Sequence, residues 1–69
     1  MTAETHNIIV TARKAHGYKQ WQLGYLCHIS QSHYWKIEAG RTVPPVELAQ
    51  KIAKILNISW ELFYEEDDT

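Results

Sequence analysis

The stretch from Gln20 to Glu38 constrains the fold more than any other part of the chain. Buried-type positions recur there at helical spacing in two phrases, Leu23, Leu26 and Cys27, then Tyr34, Ile37 and Glu38. Each phrase suits a helix of about eight residues, and only three or four residues around His28, Ile29 and Ser30 join them. A join that short forces the two helices to cross at roughly 90–120°. So tight a crossing needs a small residue in the first helix, and Gly24 stands one turn before the bend. The core positions of such a pair fall at Leu23, Cys27, Ile29, Tyr34 and Ile37, and every one is apolar or aromatic. Ser30 suits the N-cap of the second helix and Gly40 its C-cap. Trp21, Tyr25 and Tyr34 are expected in the core or in crossing-helix packing.

The rest of the chain is read the same way. Ile9, Ala12 and Arg13 share one face of a first helix, with Gly17 as its stop. Pro45 suits the first turn of a fourth helix, whose apolar face is Leu48, Ala49, Ile52, Ala53, Ile55 and Leu56 and whose end is Asn57. Ser59 is placed to cap a short fifth helix through Trp60, Leu62, Phe63 and Tyr64. No segment alternates as a strand does. The expectation is an all-α, compact five-helix bundle. It forms a single domain over residues 1–69, with the helix-turn-helix at about 20–39 and an acidic disordered tail at about 65–69.

Composition excludes several classes. A chain of 69 residues buries only ~60% of its unfolded surface, which leaves little room for a catalytic cleft. The single cysteine, Cys27, forbids an internal disulfide and a cysteine-based zinc site. No apolar run approaches the ~18 residues of a membrane span, and the N-terminal residues do not read as a signal peptide, so the expected address is cytoplasmic. The four histidines, His6, His16, His28 and His33, lack metal-ligand spacing. Ser32 beside His33 has no ordering acid, so neither enzyme activity nor a metal or other cofactor is expected. A net charge of −1 looks wrong for a nucleic-acid binder, but the distribution is uneven. Five cations (Arg13, Lys14, Lys19, Lys36, Arg41) face one acid, Glu38, between residues 13 and 41, whereas Glu61 to Asp68 holds five acids and no cation. A basic body with an acidic end is compatible with one phosphate-facing surface.

Arg13, the run from Gln20 to Gly24, Ile29 to Ser32, Ile37 to Arg41, and Leu48, Ile52, Ala53 and Leu56 to Ser59 together resemble the Cro and phage-repressor type of helix-turn-helix domain, the XRE family. The resemblance covers roughly residues 8–64. It implies a lambda-repressor-like DNA-binding fold in a bacterial or phage-encoded, DNA-associated protein. The chain departs from the family pattern at His28, where glycine is usual, and at Lys19, where a capping hydroxyl is usual. An aromatic Trp35 on the recognition helix and the overall acidity are also unusual.

At ~100° per residue, Ser32 and Lys36 point away from the face of Tyr34, Ile37 and Glu38, His33 and Trp35 lie on the flanks, and Gln31 projects from the helix end. The resemblance implies base contacts from Gln31, Ser32 and Lys36 in the major groove. Glutamine can pair with adenine, and lysine can reach guanine or phosphate. His33 joins them as a donor to phosphate or a packing partner for a thymine methyl. Backbone phosphates fall to Lys19, Gln20, Trp35, Arg41 and Thr42, with free backbone N–H groups expected at Arg41 and Thr42. For Trp35, contact with a protein or burial on the helix flank remain open. Glu38, facing inward, needs a partner, and the family pattern supplies Arg13 as a structural ion pair.

These readings describe a sequence-specific transcriptional regulator, a repressor of phage or mobile-element type, acting as a homodimer on a palindromic double-stranded operator. Ile58, Trp60, Phe63 and Tyr64 are its expected dimer interface. Control then comes from occupancy, expression level or a protein partner (an antirepressor, a toxin or RNA polymerase). Two alternatives share the fold: a protein-interaction module with weak DNA binding, and an antitoxin or restriction-system controller.

Overall fold

The computed structural model describes residues 1–65, which form helices α1 (Ala3–Ala15), α2 (Gln20–Leu26), α3 (Gln31–Glu38) and α4 (Val46–Leu56), then a 3-10 turn at Trp60–Tyr64. No strand occurs among the described residues. The described residues thus hold four α-helices, not the five expected. The last segment is only five residues long and is wound as a 3-10 helix, the form favoured in such short pieces. The Ser59 side chain makes no capping bond there, and Leu62 N–H donates to Ser59 O at 3.3 Å in a three-residue turn. The turn is held instead by Phe63, which enters the core, and by the Tyr64 hydroxyl, which donates to Pro44 O at 2.6 Å.

All four helices stop by the same device. The residue after each last turn is left-handed: Gly17 (φ 77°), His28 (φ 59°), Gly40 (φ 77°) and Asn57 (φ 56°). The following N–H then reaches back across the end, from Tyr18 to Arg13 O at 3.0 Å, Ile29 to Gly24 O at 2.9 Å, Arg41 to Lys36 O at 2.8 Å and Ile58 to Ala53 O at 3.0 Å. Such ends satisfy carbonyls that would otherwise be orphaned and let each connection turn within a few residues. The starts are more varied. Thr2 accepts from Thr5 N–H at 3.0 Å, and Ser30 accepts from His33 N–H at 3.0 Å. Lys19 has no acceptor to offer. There Gln22 Oε1 reaches back to Lys19 N–H at 2.9 Å, one half of a capping box. Pro45 stands just outside α4, and its carbonyl accepts the first helical bond, from Ala49 at 2.9 Å.

One core joins the helices, with Ile9, Leu23, Tyr34, Ile37, Ala49 and Ile52 fully enclosed. Ile29, Leu48 and Ile55 are half-buried around it. Two residues of α2 expected in the core or in crossing-helix packing are exposed instead, Trp21 at 53% and Tyr25 at 76%, and Leu26, which shares the helical spacing of Leu23 and Cys27, is 41% exposed. The reason is geometric. The buried stripe of α2 runs through Leu23, Gly24 and Cys27, which turns Trp21, Tyr25 and Leu26 outward on a helix of only two turns. Glu65 is also described, and its carboxylate accepts from the buried Thr5 hydroxyl at 2.7 Å. The rest of the expected tail, residues 66–69, lies outside the described residues.

His28 takes the left-handed conformation at a cost that glycine, usual at this position in the family, would not carry. It is exposed, so replacing it removes only the backbone cost. His28→Gly is expected to stabilise the fold by ~0.5–1 kcal/mol, read as a rise of several degrees in thermal midpoint by circular dichroism.

Candidate nucleic-acid interface

The position of α3 is set by two contacts, one steric and one ionic. A Cβ on Gly24 would lie 3.1 Å from Ile29 O and 3.3 Å from Ser30 O, so any side chain there would press on the backbone that leads into α3. At the other end of α3, Glu38 is buried and ion-paired. Arg13 Nε donates to Glu38 Oε2 at 2.8 Å and Nη2 to Oε1 at 3.1 Å, a two-pronged pair, while Nη1 donates to Tyr18 O at 2.9 Å. Gln20 Nε2 donates to Glu38 Oε1 at 3.2 Å, and His6 Nδ1 donates to Glu38 O at 2.7 Å. Burial pushes the Glu38 carboxyl up, but hydrogen bonding from Arg13, helped by the nearby Tyr34 hydroxyl and by Gln20, outweighs it and holds the group below the ordinary carboxylate range. The Arg13 guanidinium is raised in turn, chiefly by Glu38. Burial, and then the neighbouring Glu38, push the Tyr34 hydroxyl well above its usual value. That hydroxyl has no partner in hydrogen-bonding geometry.

With Glu38 fixed inward, the opposite face of α3 is open. Gln31, Ser32 and Lys36 are exposed, and His33 is half-buried on one flank. On the other flank, Gln31, Ser32 and Trp35 line a shallow groove together with Gln20. Trp35 is 42% exposed, and the Arg41 guanidinium lies over its ring, 5.1 Å from the centroid. Lys19, Arg41 and Thr42 are exposed around this face.

Three placements differ from expectation. The backbone N–H groups of Arg41 and Thr42 are not free. Both donate to Lys36 O, at 2.8 and 3.3 Å, because the left-handed Gly40 folds them back over the end of α3. Only their side chains remain to meet a phosphate. The Gln20 amide is drawn inward to Glu38, which leaves it half-buried. Phe63 is 3% exposed and belongs to the core, so it cannot present itself to a second copy. Ile58, Trp60 and Tyr64 are half-buried beside it, with Trp60 and Tyr64 packed edge to face at 5.7 Å.

His6 is the residue that sequence reasoning missed. Its seven-residue spacing from Arg13 puts the two on one side of α1, which was the available signal. His16 is engaged separately, donating from Nε2 to Leu56 O at 3.0 Å.

The helix-turn-helix family model matches residues 9–63. The chain belongs to that family, in its XRE-type form, a family of DNA-binding regulatory domains that are not typically enzymatic. No curated protein and no solved structure matches the chain. No helix among the described residues is long and apolar enough to cross a membrane.

The buried pair predicts both a mutational and a pH effect. Arg13→Ala leaves Glu38 without its main partner and is expected to cost ~3–5 kcal/mol, seen as a large fall in thermal midpoint. Because the Glu38 carboxyl is held low in the fold, its contribution is complete above the ordinary carboxylate value of about 4.3 and is lost as pH falls through the folded value. The thermal midpoint should therefore drop with acidification below about pH 4, and Glu38→Gln should flatten that dependence while lowering stability at neutral pH.

Proposed function

We propose that the protein is a sequence-specific regulator of transcription that reads double-stranded DNA through the outward face of α3 in the major groove. The observation that carries this reading is the exposure of Gln31, Ser32 and Lys36 on the face opposite the buried Tyr34, Ile37 and Glu38. Gln31 and Ser32 stand at the helix start, the end that enters the groove in this motif. Gln31 offers the paired donor and acceptor that adenine accepts, and Lys36 offers a cation to guanine or to phosphate. His33 is the flank residue within reach of the same groove. The side chains of Lys19, Arg41 and Thr42, with what Gln20 keeps free of Glu38, hold the flanking phosphates.

One domain of this size makes few contacts, and specific sites are typically bound at about 10⁻⁸ to 10⁻¹¹ M. Pairing of two copies on a palindromic operator meets that need. The support for pairing is an apolar depression lined by Val46, Trp60, Glu61, Tyr64 and Glu65, with Val43 and Val46 exposed. In this reading Trp60 and Tyr64, with Ile58 behind them, form the homodimer surface. Repression follows from occupancy alone and needs no further surface.

A second reading keeps the fold and makes the protein an interaction module. Trp21 and Tyr25, exposed on the outer face of α2, favour it.

The readings separate in a salt titration on duplexes selected from a random pool. Phosphate neutralisation makes affinity fall steeply as salt rises. Binding without such a slope, or no selected duplex at all, rejects the DNA reading in favour of the interaction module. Lys36→Ala is expected to cost ~1–3 kcal/mol and relax preference at one base position. Unchanged affinity and preference would mean that this face does not read bases. Val46→Glu, on an exposed position, is expected to shift the protein from dimer to monomer in sedimentation without lowering its thermal midpoint.

A further inference from the structure

The most unusual residue on the recognition helix is Trp35, and its surroundings assign it a task other than touching DNA itself. It is 42% exposed and is not among the residues packed on the core. Its ring instead carries the Arg41 guanidinium, 5.1 Å from the centroid. The backbone makes this meeting possible. Gly40, at φ 77°, reverses the chain, and Arg41 N–H bonds back to Lys36 O at 2.8 Å. Arg41 thus leaves the helix end aimed back along the flank that bears Trp35. Among the described residues no carboxylate pairs with it, the one ion pair there being Arg13–Glu38. The same ring forms a wall of the groove shared by Gln20, Gln31 and Ser32. A cation held over an aromatic face stays charged and keeps donors free at its edge.

Resting on the DNA reading above, we propose that Trp35 is a positioning residue: it pre-sets the Arg41 guanidinium beside the groove of Gln31 and Ser32, so that Arg41 meets a backbone phosphate with little side-chain freedom left to lose. An arginine free in solution gives up much of its rotamer freedom when it binds. One already stacked on a ring gives up less.

The test is a double-mutant cycle on a duplex enriched from a random pool, with the full chain. Arg41→Ala alone is expected to weaken binding about tenfold, and Trp35→Ala alone about fivefold. In the Trp35→Ala background, removing Arg41 should cost only about twofold, because the platform that made it effective is gone. Trp35→Phe, which retains a ring face, should restore most of the affinity. A structural role would not give that pattern, and the thermal midpoint should move little in any of these variants. Without DNA, the Arg41 side-chain protons should be shifted upfield by the ring in nuclear magnetic resonance spectra, and Trp35→Ala should abolish the shift. Additive losses, or no rescue by phenylalanine, overturn the inference alone. Failure of the native protein to bind any duplex overturns it together with the DNA reading.

Discussion

The buried pair between Arg13 and Glu38 is the interaction on which the rest of the structure depends. Burying two charges is costly, and an apolar pair of similar volume often stabilises a fold as well or better. What an apolar pair cannot supply is direction. The two-pronged contact fixes the rotation of Glu38 about the axis of α3, and with it the rotation of every other residue on that helix. Arg13 also holds Tyr18 O, while Gln20 and His6 hold Glu38. The cluster therefore ties α1, the start of α2 and the end of α3 to one another. Ser32 and Lys36 face outward because Glu38 faces inward.

Direction is worth nothing if the helix can slide. The steric limit at Gly24 removes that freedom at the other end of α3, where backbone meets backbone. Between these anchors lies Tyr34, fully enclosed, so α3 is held by packing as well. The four left-handed ends make this compactness possible in so short a chain. Each turns the backbone within a few residues while satisfying its carbonyls. A small core then suffices, with Phe63 from the 3-10 turn supplying the volume that the α-helices lack.

What could be read in the sequence divides along local and non-local lines. Gly17, His28, Gly40 and Asn57 marked the four helix ends correctly because a left-handed cap is a property of a few adjacent residues. Gly24 was legible as an elbow because its spacing from the turn is fixed by helix geometry. Trp21 and Tyr25 were misplaced, and Leu26 lies outside the core despite its spacing, because periodicity defines a stripe but not its width, and on two turns of helix one step decides burial. The fifth helix failed for the converse reason: five residues with an apolar pattern can be held by tertiary contacts without an α-helical bond. The N–H groups of Arg41 and Thr42 could not be followed either. Their bond to Lys36 O depends on how the chain reverses at Gly40. The apolar surplus expected at Ile58 to Tyr64 is partly absorbed by the protein's own core, through Phe63.

Net charge is a poor guide to such a chain, and the structure explains why. Between Arg13 and Arg41 the one acid, Glu38, is consumed by Arg13 inside the fold. Lys14, Lys19, Lys36 and Arg41 are left exposed with no acid among them. Glu65, which enters the total as a full negative charge, lies against the Thr5 hydroxyl at the start of α1. At physiological ionic strength a charge is felt over about 8 Å, and the molecule is 34 Å along its longest axis. A phosphate arriving at α3 therefore responds to the cations around that helix more than to the sum over the chain. An acidic total and exposed cations around α3 are compatible because the one acid between Arg13 and Arg41 is buried in its pair with Arg13.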